Sequence, residues 1–406
     1  MRNFRFFLLL NLLLLTGFTA CKPARNNYTV VISLDGFRWD YPEYYNTTFL
    51  DSLATVGVSA RMEPSFPAST FPNHYTLATG LVPDHNGLVN NSFWNPDKEY
   101  KYSMGDPACR YNPDYYLGEA IWITAQRQGV KTGNVYWVGS DIPVKDTYPT
   151  YYRKWDEDPH WNFEQRIDEI VRLMSLPEED RPRLVMGYFD EPDHTGHGFG
   201  PISAETKEMA EHMDSLIHGL YLRLMALPYA DKINFIVLSD HGMEDVSSER
   251  FINSYQHIPE GWTERVVGNT PTSIFVKEGY VDSLYNRLSQ VEHISVWKHG
   301  EVPAELNYGT SNRLGDLIVA PDLGWQFNNT PSKGAGAHGY SPKEPDMMVI
   351  FRAVGPDFKV GYEAPFTEGE QSAFRNIDIY PLLCELLGVK PTPVDGKLER
   401  ISKILK

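Results

Sequence analysis

The chain has 406 residues, of which 42% are hydrophobic, 13% aromatic and 22% charged, a globular balance that excludes wholesale disorder and collagen-like or coiled-coil structure. Asp and Glu outnumber Lys and Arg by 53 to 37, for a formal charge of −16, with no basic run to offset them. This argues against a protein that wraps a nucleic-acid polymer through counterion release, while small phosphorylated substrates stay open because a bound metal reverses the local field.

Residues 1–21 read as a leader. Arg2 and Arg5 precede the apolar run Phe6–Leu15, broken only by Asn11, and Thr16-Gly17-Phe18-Thr19-Ala20 lead to Cys21. This is the order of a secretory signal, and the run falls short of the roughly 20 apolar residues that span a membrane. Small residues directly before Cys21 resemble a bacterial lipobox, with plain signal cleavage as the alternative because Phe18 departs from that pattern. The expectation is an exported protein, periplasmic or membrane-anchored through a lipidated Cys21, of a bacterium. Beyond the leader only Cys109 and Cys384 remain, read as two buried thiols or as a single disulfide.

Further along, strand-like apolar runs alternate with amphipathic helical ones. Tyr28–Leu34 reads as a buried strand and 48–58 as a helix. A helix over 116–128 precedes a strand over 133–138, and a helix over 163–174 precedes a strand over 183–189. In the helix 203–227, Met209, Met213, Leu216, Leu220, Leu224 and Leu227 recur at three-to-four spacing, one buried stripe. Strands follow over 234–239 and 347–352, and a closing helix over 376–387. Continuous apolar strands separated by helices argue an α/β fold with a mostly parallel central sheet covered on both faces. Residues 265–330 change texture, with short strands at 273–276, 294–297 and 316–320 around a helix over 281–291. They read as a small inserted α+β subdomain between a first catalytic part, 28–264, and a closing part, 331–406.

Two motif matches carry no function. Cys21-Lys22-Pro23-Ala24-Arg25 matches the C-x-P-x-R core of sulfatases but sits at the export site, ahead of the first strand. Gly334-Ala335-Gly336-Ala337-His338-Gly339 matches G-x-G-x-x-G but opens no helix to hold a pyrophosphate. The informative residues are acidic. Three strands end in Asp35-Gly36, in Asp190-Glu191-Pro192-Asp193-His194-Thr195-Gly196-His197, and in Asp240-His241-Gly242, and the glycine loop adds His338. The carboxyl ends of strands are where open α/β sheets place ligands. Buried carboxylates gathered there are costly without a cation, and carboxylate and imidazole are zinc donors. Asp35, Asp193, His197, Asp240, His241 and His338 exceed what one tetrahedral ion takes and suit two, about 4 Å apart, which can serve both oxygens of a phosphoryl displacement.

A nucleophile comes from Thr70-Phe71-Pro72-Asn73-His74, where Pro72 near the start and Gly80 at the end bracket a short helix. Thr70 lies at its N-terminus, which favours an anion, and its hydroxyl needs a metal to become reactive. Together, Leu34-Asp35-Gly36, Thr70–His74, Glu191-Pro192-Asp193 with Gly196-His197, Asp240-His241-Gly242 and His338-Gly339 resemble, in order, the nucleotide pyrophosphatase/phosphodiesterase family of the alkaline phosphatase superfamily. The resemblance implies two zinc ions, one on Asp193, His197 and His338, the other on Asp35, Asp240, His241 and the Thr70 oxygen. It implies that Asn91 hydrogen-bonds a phosphate oxygen, with Asn90 as rival, helped by the Phe71 amide. Phe71 and Tyr188 correspond to an aromatic pair gripping a nucleobase, although Tyr188, ending a buried strand, also reads as a core residue. The activity implied is hydrolysis of small phosphodiesters or pyrophosphates, of nucleotides in particular, through a phospho-threonine. The alternatives are a phosphomonoesterase or phosphonate hydrolase on the same metals, and a non-catalytic metal-binding protein.

Overall fold

Tyr28–Leu34 pairs in parallel with Leu184–Phe189 on one side and Ile233–Leu238 on the other, and all three strands are buried along their full length. They form the centre of an eight-stranded sheet in the computed structural model, which describes residues 26–366 and 374–406. The leader, Cys21 and the sulfatase-like run lie outside the described residues. From edge to edge the order is Tyr362–Glu363, Val58–Met62, Val349–Val354, Ile233–Leu238, Tyr28–Leu34, Leu184–Phe189, Thr132–Val135 and Tyr151–Arg153. Only Val349–Val354 runs against its two neighbours. The fold is α/β with a mostly parallel sheet.

Because side chains alternate across a strand, the sheet divides two cores. Val30, Ile32, Leu34, Phe235 and Val237 pack with the helices Phe163–Met174 and Ala204–Met225, while Val31, Ile236 and Leu238 pack with Thr70–Thr79, Ile121–Arg127 and Ile379–Leu387. On the long helix the buried stripe is Ala210, Met213, Ile217, Leu220 and Leu224; Met209, Leu216 and Leu227 are only half-buried against it. Two helices are shorter than their patterns suggest. The one beginning at Thr48 stops at Val56. A Cβ at Gly57 would stand 2.2 Å from the Ala353 carbonyl oxygen, so the chain meets the sheet there and Val58–Met62 becomes a strand. The helix expected from Tyr116 starts at Ile121, because Gly118 has φ +80°, which a helix cannot include.

The four strands Thr263–Val267, Thr272–Val276, Leu317–Pro321 and Ile294–Lys298 form, in that spatial order, a separate antiparallel sheet. Val281–Leu288 packs on it through Leu284 and Leu288, and these close a small core with Ile274, Leu317 and Val319. The sheet begins two residues ahead of the boundary drawn at 265, with a strand whose alternating exposure gave no buried run to notice. Cys109 and Cys384 are both buried and free, not bridged.

One cap ties two elements of the core that holds the long helix. Asp214, on the long helix and buried, accepts the amides of Phe49 at 3.0 Å and Leu50 at 2.9 Å, which are free donors in the first turn of Thr48–Val56. Asp214→Ala should therefore lower stability by about 1–2 kcal/mol, read as a lower urea midpoint at unchanged slope. An unchanged midpoint would mean that water replaces the carboxylate.

Candidate metal centre and active site

The three central strands deliver their carboxyl-end loops side by side. The Asp35 amide donates to the Phe189 carbonyl at 2.9 Å, and the Asp193 amide to the Asp35 carbonyl at 3.0 Å, so the first two loops are bonded to each other. They also touch: Gly36 has φ +67°, and a Cβ there would lie 2.9 Å from the Asp193 Cβ. Asp193 opens the short helix Asp193–Phe199, which sets His197 one turn later on the same face. In the third loop Asp240 Oδ1 accepts the Gly36 amide at 3.3 Å and the Ser239 hydroxyl at 3.2 Å. His338 arrives from elsewhere in the chain. It follows Gly336–Ala337, which pairs with Glu244–Asp245 just beyond that third loop.

Two ligand groups result. The donor atoms of Asp193, His197 and His338 all lie within 4.8 Å of one another, as do those of Asp35, Asp240 and His241. The first group is half-buried, the second buried. His241 Nε2 is 3.3 Å from Asp35 Oδ1 and 3.2 Å from Asp240 Oδ2, and the His241 and His338 rings stack at 3.7 Å. Each histidine turns its other nitrogen to a backbone carbonyl: His197 Nδ1 donates to Gly336 at 2.9 Å, His241 Nδ1 to Gly242 at 2.8 Å and His338 Nδ1 to Ala68 at 3.0 Å. These bonds occupy Nδ1 and aim every Nε2 inward, the arrangement that orients metal-binding imidazoles.

The carboxylates show what is required of a ligand. Asp35 Oδ1, Asp193 Oδ1 and Asp240 Oδ2 are buried and accept no hydrogen bond. Burial raises the pKa of Asp35 well above the usual carboxylate range, and the charges of Asp240 and Asp193 push it further; burial also raises Asp193. Burial pushes Asp240 up too, but the imidazoles of His241 and His74 outweigh it and hold that carboxyl low. His338 is pushed well below the usual imidazole range by burial and by His241 and His197, so it stays neutral and able to coordinate. Unpartnered carboxylate oxygens facing bare imidazole nitrogens fit a divalent cation at each group.

Thr70 begins the helix Thr70–Thr79, which ends at Gly80 in the left-handed conformation. Its hydroxyl donates to His241 Nε2 at 3.0 Å, which places the oxygen beside the second ligand group. One turn along the same helix, His74 holds this corner together, a role the sequence reading did not assign. Its Nδ1 donates to the Thr70 carbonyl at 3.0 Å and lies 3.2 Å from Asp240 Oδ2, and Ser33 donates to its Nε2 at 2.9 Å. The i, i+4 spacing from Thr70 was the available signal. Asn90 and Asn91 separate by their partners. Both ends of the Asn90 amide are engaged, Oδ1 by the Asn91 amide at 2.7 Å and Nδ2 by the Pro271 carbonyl at 3.1 Å. Asn91 Oδ1 accepts the Phe71 amide at 2.9 Å, so that amide is not free for a phosphate as the resemblance suggested, and only the Asn91 NH2 is left to donate outward. Tyr188 departs from its expected role. Its ring is buried edge-on to His74 at 4.8 Å, and its hydroxyl donates to Asp35 Oδ2 at 2.6 Å; it supports a ligand and has no exposed face to grip a base. Phe71 is half-buried on the nucleophile helix.

Comparison with known proteins agrees with this geometry. A family model described as type I phosphodiesterase / nucleotide pyrophosphatase matches residues 29–341. Human ectonucleotide pyrophosphatase/phosphodiesterase family member 1 is 31% identical over 93% of this chain and 42% of its own length, and a venom phosphodiesterase of Crotalus durissus collilineatus is 31% identical over 96% and 48%. The chain thus spans about half the length of the curated relatives it matches. Among solved structures, murine ectonucleotide pyrophosphatase / phosphodiesterase 5, in an inactive form in complex with AMP, superimposes with a TM-score of 0.86 at 29% identity, covering 94% of this chain and all of that one. The human counterpart superimposes equally, with a TM-score of 0.86.

The contact between Gly36 and Asp193 gives a direct test of the centre. Gly36→Ala introduces a methyl group against Asp193 at a positive φ, moving ligands of both groups. Metal affinity should fall by about 10–100-fold, measured by chelator competition on purified protein. Native affinity in this variant would show that the loops can part without disturbing the ligands.

Proposed function

Because the chain belongs to the type I phosphodiesterase / nucleotide pyrophosphatase family, we propose that it hydrolyses phosphodiester or pyrophosphate bonds of nucleotides, releasing nucleoside monophosphates, with two zinc ions and Thr70 as nucleophile. The observation that carries this reading is the Thr70 hydroxyl, 3.0 Å from a ligand imidazole at a helix N-terminus, beside carboxylate oxygens that have no partner. Oxygen and nitrogen donors in sets of three suit zinc. When bound, the ions supply the positive charge that acidifies the hydroxyl and neutralises the phosphoryl group.

The chain's own residues do the rest. Thr70 gives up its hydroxyl proton to solvent, and its oxygen bonds to phosphorus as the bond to the leaving oxygen breaks. The helix N-terminus favours the anion formed there. The Asn91 NH2 donates to a non-bridging oxygen, held in place by the bond its carbonyl accepts from Phe71. His74 keeps Thr70 in register with Asp240 through its two contacts. Water then cleaves the phospho-threonine and restores the hydroxyl. Phe71 is the ring on this helix that can stack a base, and the AMP complex of the murine relative supports a nucleotide. The monoesterase alternative needs extra cations beside the nucleophile for the additional charge of a monoester, and among the described residues the cavity beside the site is lined by no arginine and by a single lysine, Lys101, on the outlying hairpin.

Chelation should abolish turnover of a chromogenic phosphodiester and zinc should restore it. Thr70→Ala should lower kcat by orders of magnitude with metal retained, since a nucleophile acts in the transition state, whereas Thr70→Ser should keep substantial activity; native turnover in the alanine variant would end the assignment. Phe71→Ala should cost nucleotide diesters about 1–3 kcal/mol in kcat/KM and a simple aryl diester much less, equal losses removing the case for stacking.

The leader carries a separate part of the proposal, export with membrane attachment through Cys21. Cys21→Ser should release the protein from the membrane fraction without altering its activity, and unchanged partitioning would count against lipidation.

A further inference from the structure

A cavity of about 650 Å³ opens beside His197 and His338, a volume usual for small-molecule sites. It runs out between the hairpin of Ser92–Asn95 and Tyr100–Ser103 and the turn joining Val267 to Thr272. Its place relative to the nucleophile decides what it holds. Thr70 lies with the Asp35, Asp240 and His241 group, whereas the only ligands lining the cavity are His197 and His338 of the other group, with Ser69 and Asn91 where it meets the phosphate position. In an in-line displacement the leaving oxygen departs opposite the attacking one, and paired metal groups serve the two oxygens separately. The cavity therefore lies on the leaving-group side.

Its chemistry differs from that of the chain as a whole. The protein carries a charge of −16, yet among the described residues no carboxylate lines this space, and Lys101 is the only lysine or arginine that does. Lys101 is exposed. Most of the remaining polar wall is carboxamide and hydroxyl, including Ser103, Asn269 and Asn328. Asn328 Nδ2 donates to Asn269 Oδ1 at 3.4 Å, and Asn328 Oδ1 accepts the Asn329 amide at 2.8 Å, which engages the Asn269 oxygen and leaves its NH2 to donate. The bordering rings of Phe327 and Tyr340 are each 2% exposed and offer no face on which a base could stack.

Resting on the phosphodiesterase reading above, we propose that this cavity receives a leaving group made of one phosphate bearing a neutral, hydroxyl-rich ring, which makes a nucleoside diphosphate sugar the preferred substrate. Lys101 meets the single leaving phosphate, and the Asn269–Asn328 pair with Ser103 meets the sugar hydroxyls. The bond from Thr70 to phosphorus forms as the bridging P–O bond breaks, and the bridging oxygen leaves with the sugar phosphate. A nucleoside triphosphate would bring a second leaving phosphate with no second side-chain cation to meet it. A dinucleotide would bring a base with no ring to cover it.

The test holds the nucleoside constant and changes only the leaving group. On the zinc-loaded full chain, kcat/KM is measured for UDP-glucose, UTP, diuridine diphosphate and the p-nitrophenyl ester of uridine monophosphate. UDP-glucose should exceed UTP and the dinucleotide by about tenfold, the effect of one charge-assisted or two neutral hydrogen bonds. Lys101→Met should lower the ratio of UDP-glucose to aryl ester about tenfold, and Asn269→Ala combined with Asn328→Ala should lower the ratio of UDP-glucose to UTP. In the unmutated protein, glucose 1-phosphate should inhibit aryl ester hydrolysis more strongly than inorganic phosphate, a readout independent of how the variants fold. UTP or the dinucleotide matching UDP-glucose, with the aryl ester turned over, would overturn the leaving-group assignment alone. No turnover of any of the four would overturn the phosphodiesterase reading and this inference with it.

Discussion

Carboxylates at the ends of three adjacent parallel strands repel one another where little water reaches to screen them, and the rest of this sheet edge is arranged around that repulsion. Asp35, Asp193 and Asp240 each keep an oxygen without a hydrogen bond, which a buried carboxylate does not do without a cation or a proton to answer it. Burial and then the neighbouring carboxylates lift Asp35, and a divalent ion would relieve that crowding. The histidines answer in a complementary way: each spends one nitrogen on a backbone carbonyl and turns the other toward the carboxylates. The loops are locked to each other through the Asp193 amide and through the space at Gly36, which keeps the repelling groups from moving apart.

Much of this was legible in the sequence, for a physical reason. Acidic residues directly after long apolar runs must emerge at strand ends, and parallel strands joined by helices put those ends at one edge. Hence Asp35, Asp193 and Asp240 could be grouped from the sequence, with His197 in the same run as Asp193. Side-chain direction was not legible. Tyr188 has the composition of a stacking residue, but its position inside a strand between Asp35 and His74 turns the ring into the core. Asn90 and Asn91 are neighbours of one type, and contacts distant in sequence, of Asn90 with Pro271 and of Asn91 with Phe71, tell them apart. Short strands such as Val58–Met62 and Thr263–Val267 carry little pattern of their own and exist because a partner strand pairs with them.

The nucleophile is coupled to the metal centre more tightly than a list of ligands conveys. His74 is buried completely, touches the Thr70 carbonyl and Asp240, and is itself anchored by Ser33 on the central strand. A change in the central strand is thus felt at the hydroxyl without passing through any ligand. The orientation of Thr70 is a property of the packed core as well as of the site.

The cavity wall is assembled from two bodies with different cores. His197 follows a strand of the large sheet, whereas Asn269 lies in a turn of the four-stranded sheet and Asn328 ends the strand Gln326–Asn328, which pairs with Phe251–Asn253 beside it; Ile252 and Phe327 of that pair join the four-stranded sheet in a cluster of its own. Replacements in those outlying turns leave the strand ends and their charges untouched, and they load a small core that tolerates change independently of the large one. Bond breaking and substrate choice can therefore drift at separate rates. Over evolutionary time a lineage could exchange one leaving group for another by altering the inserted sheet, while the machinery at the strand ends stays fixed.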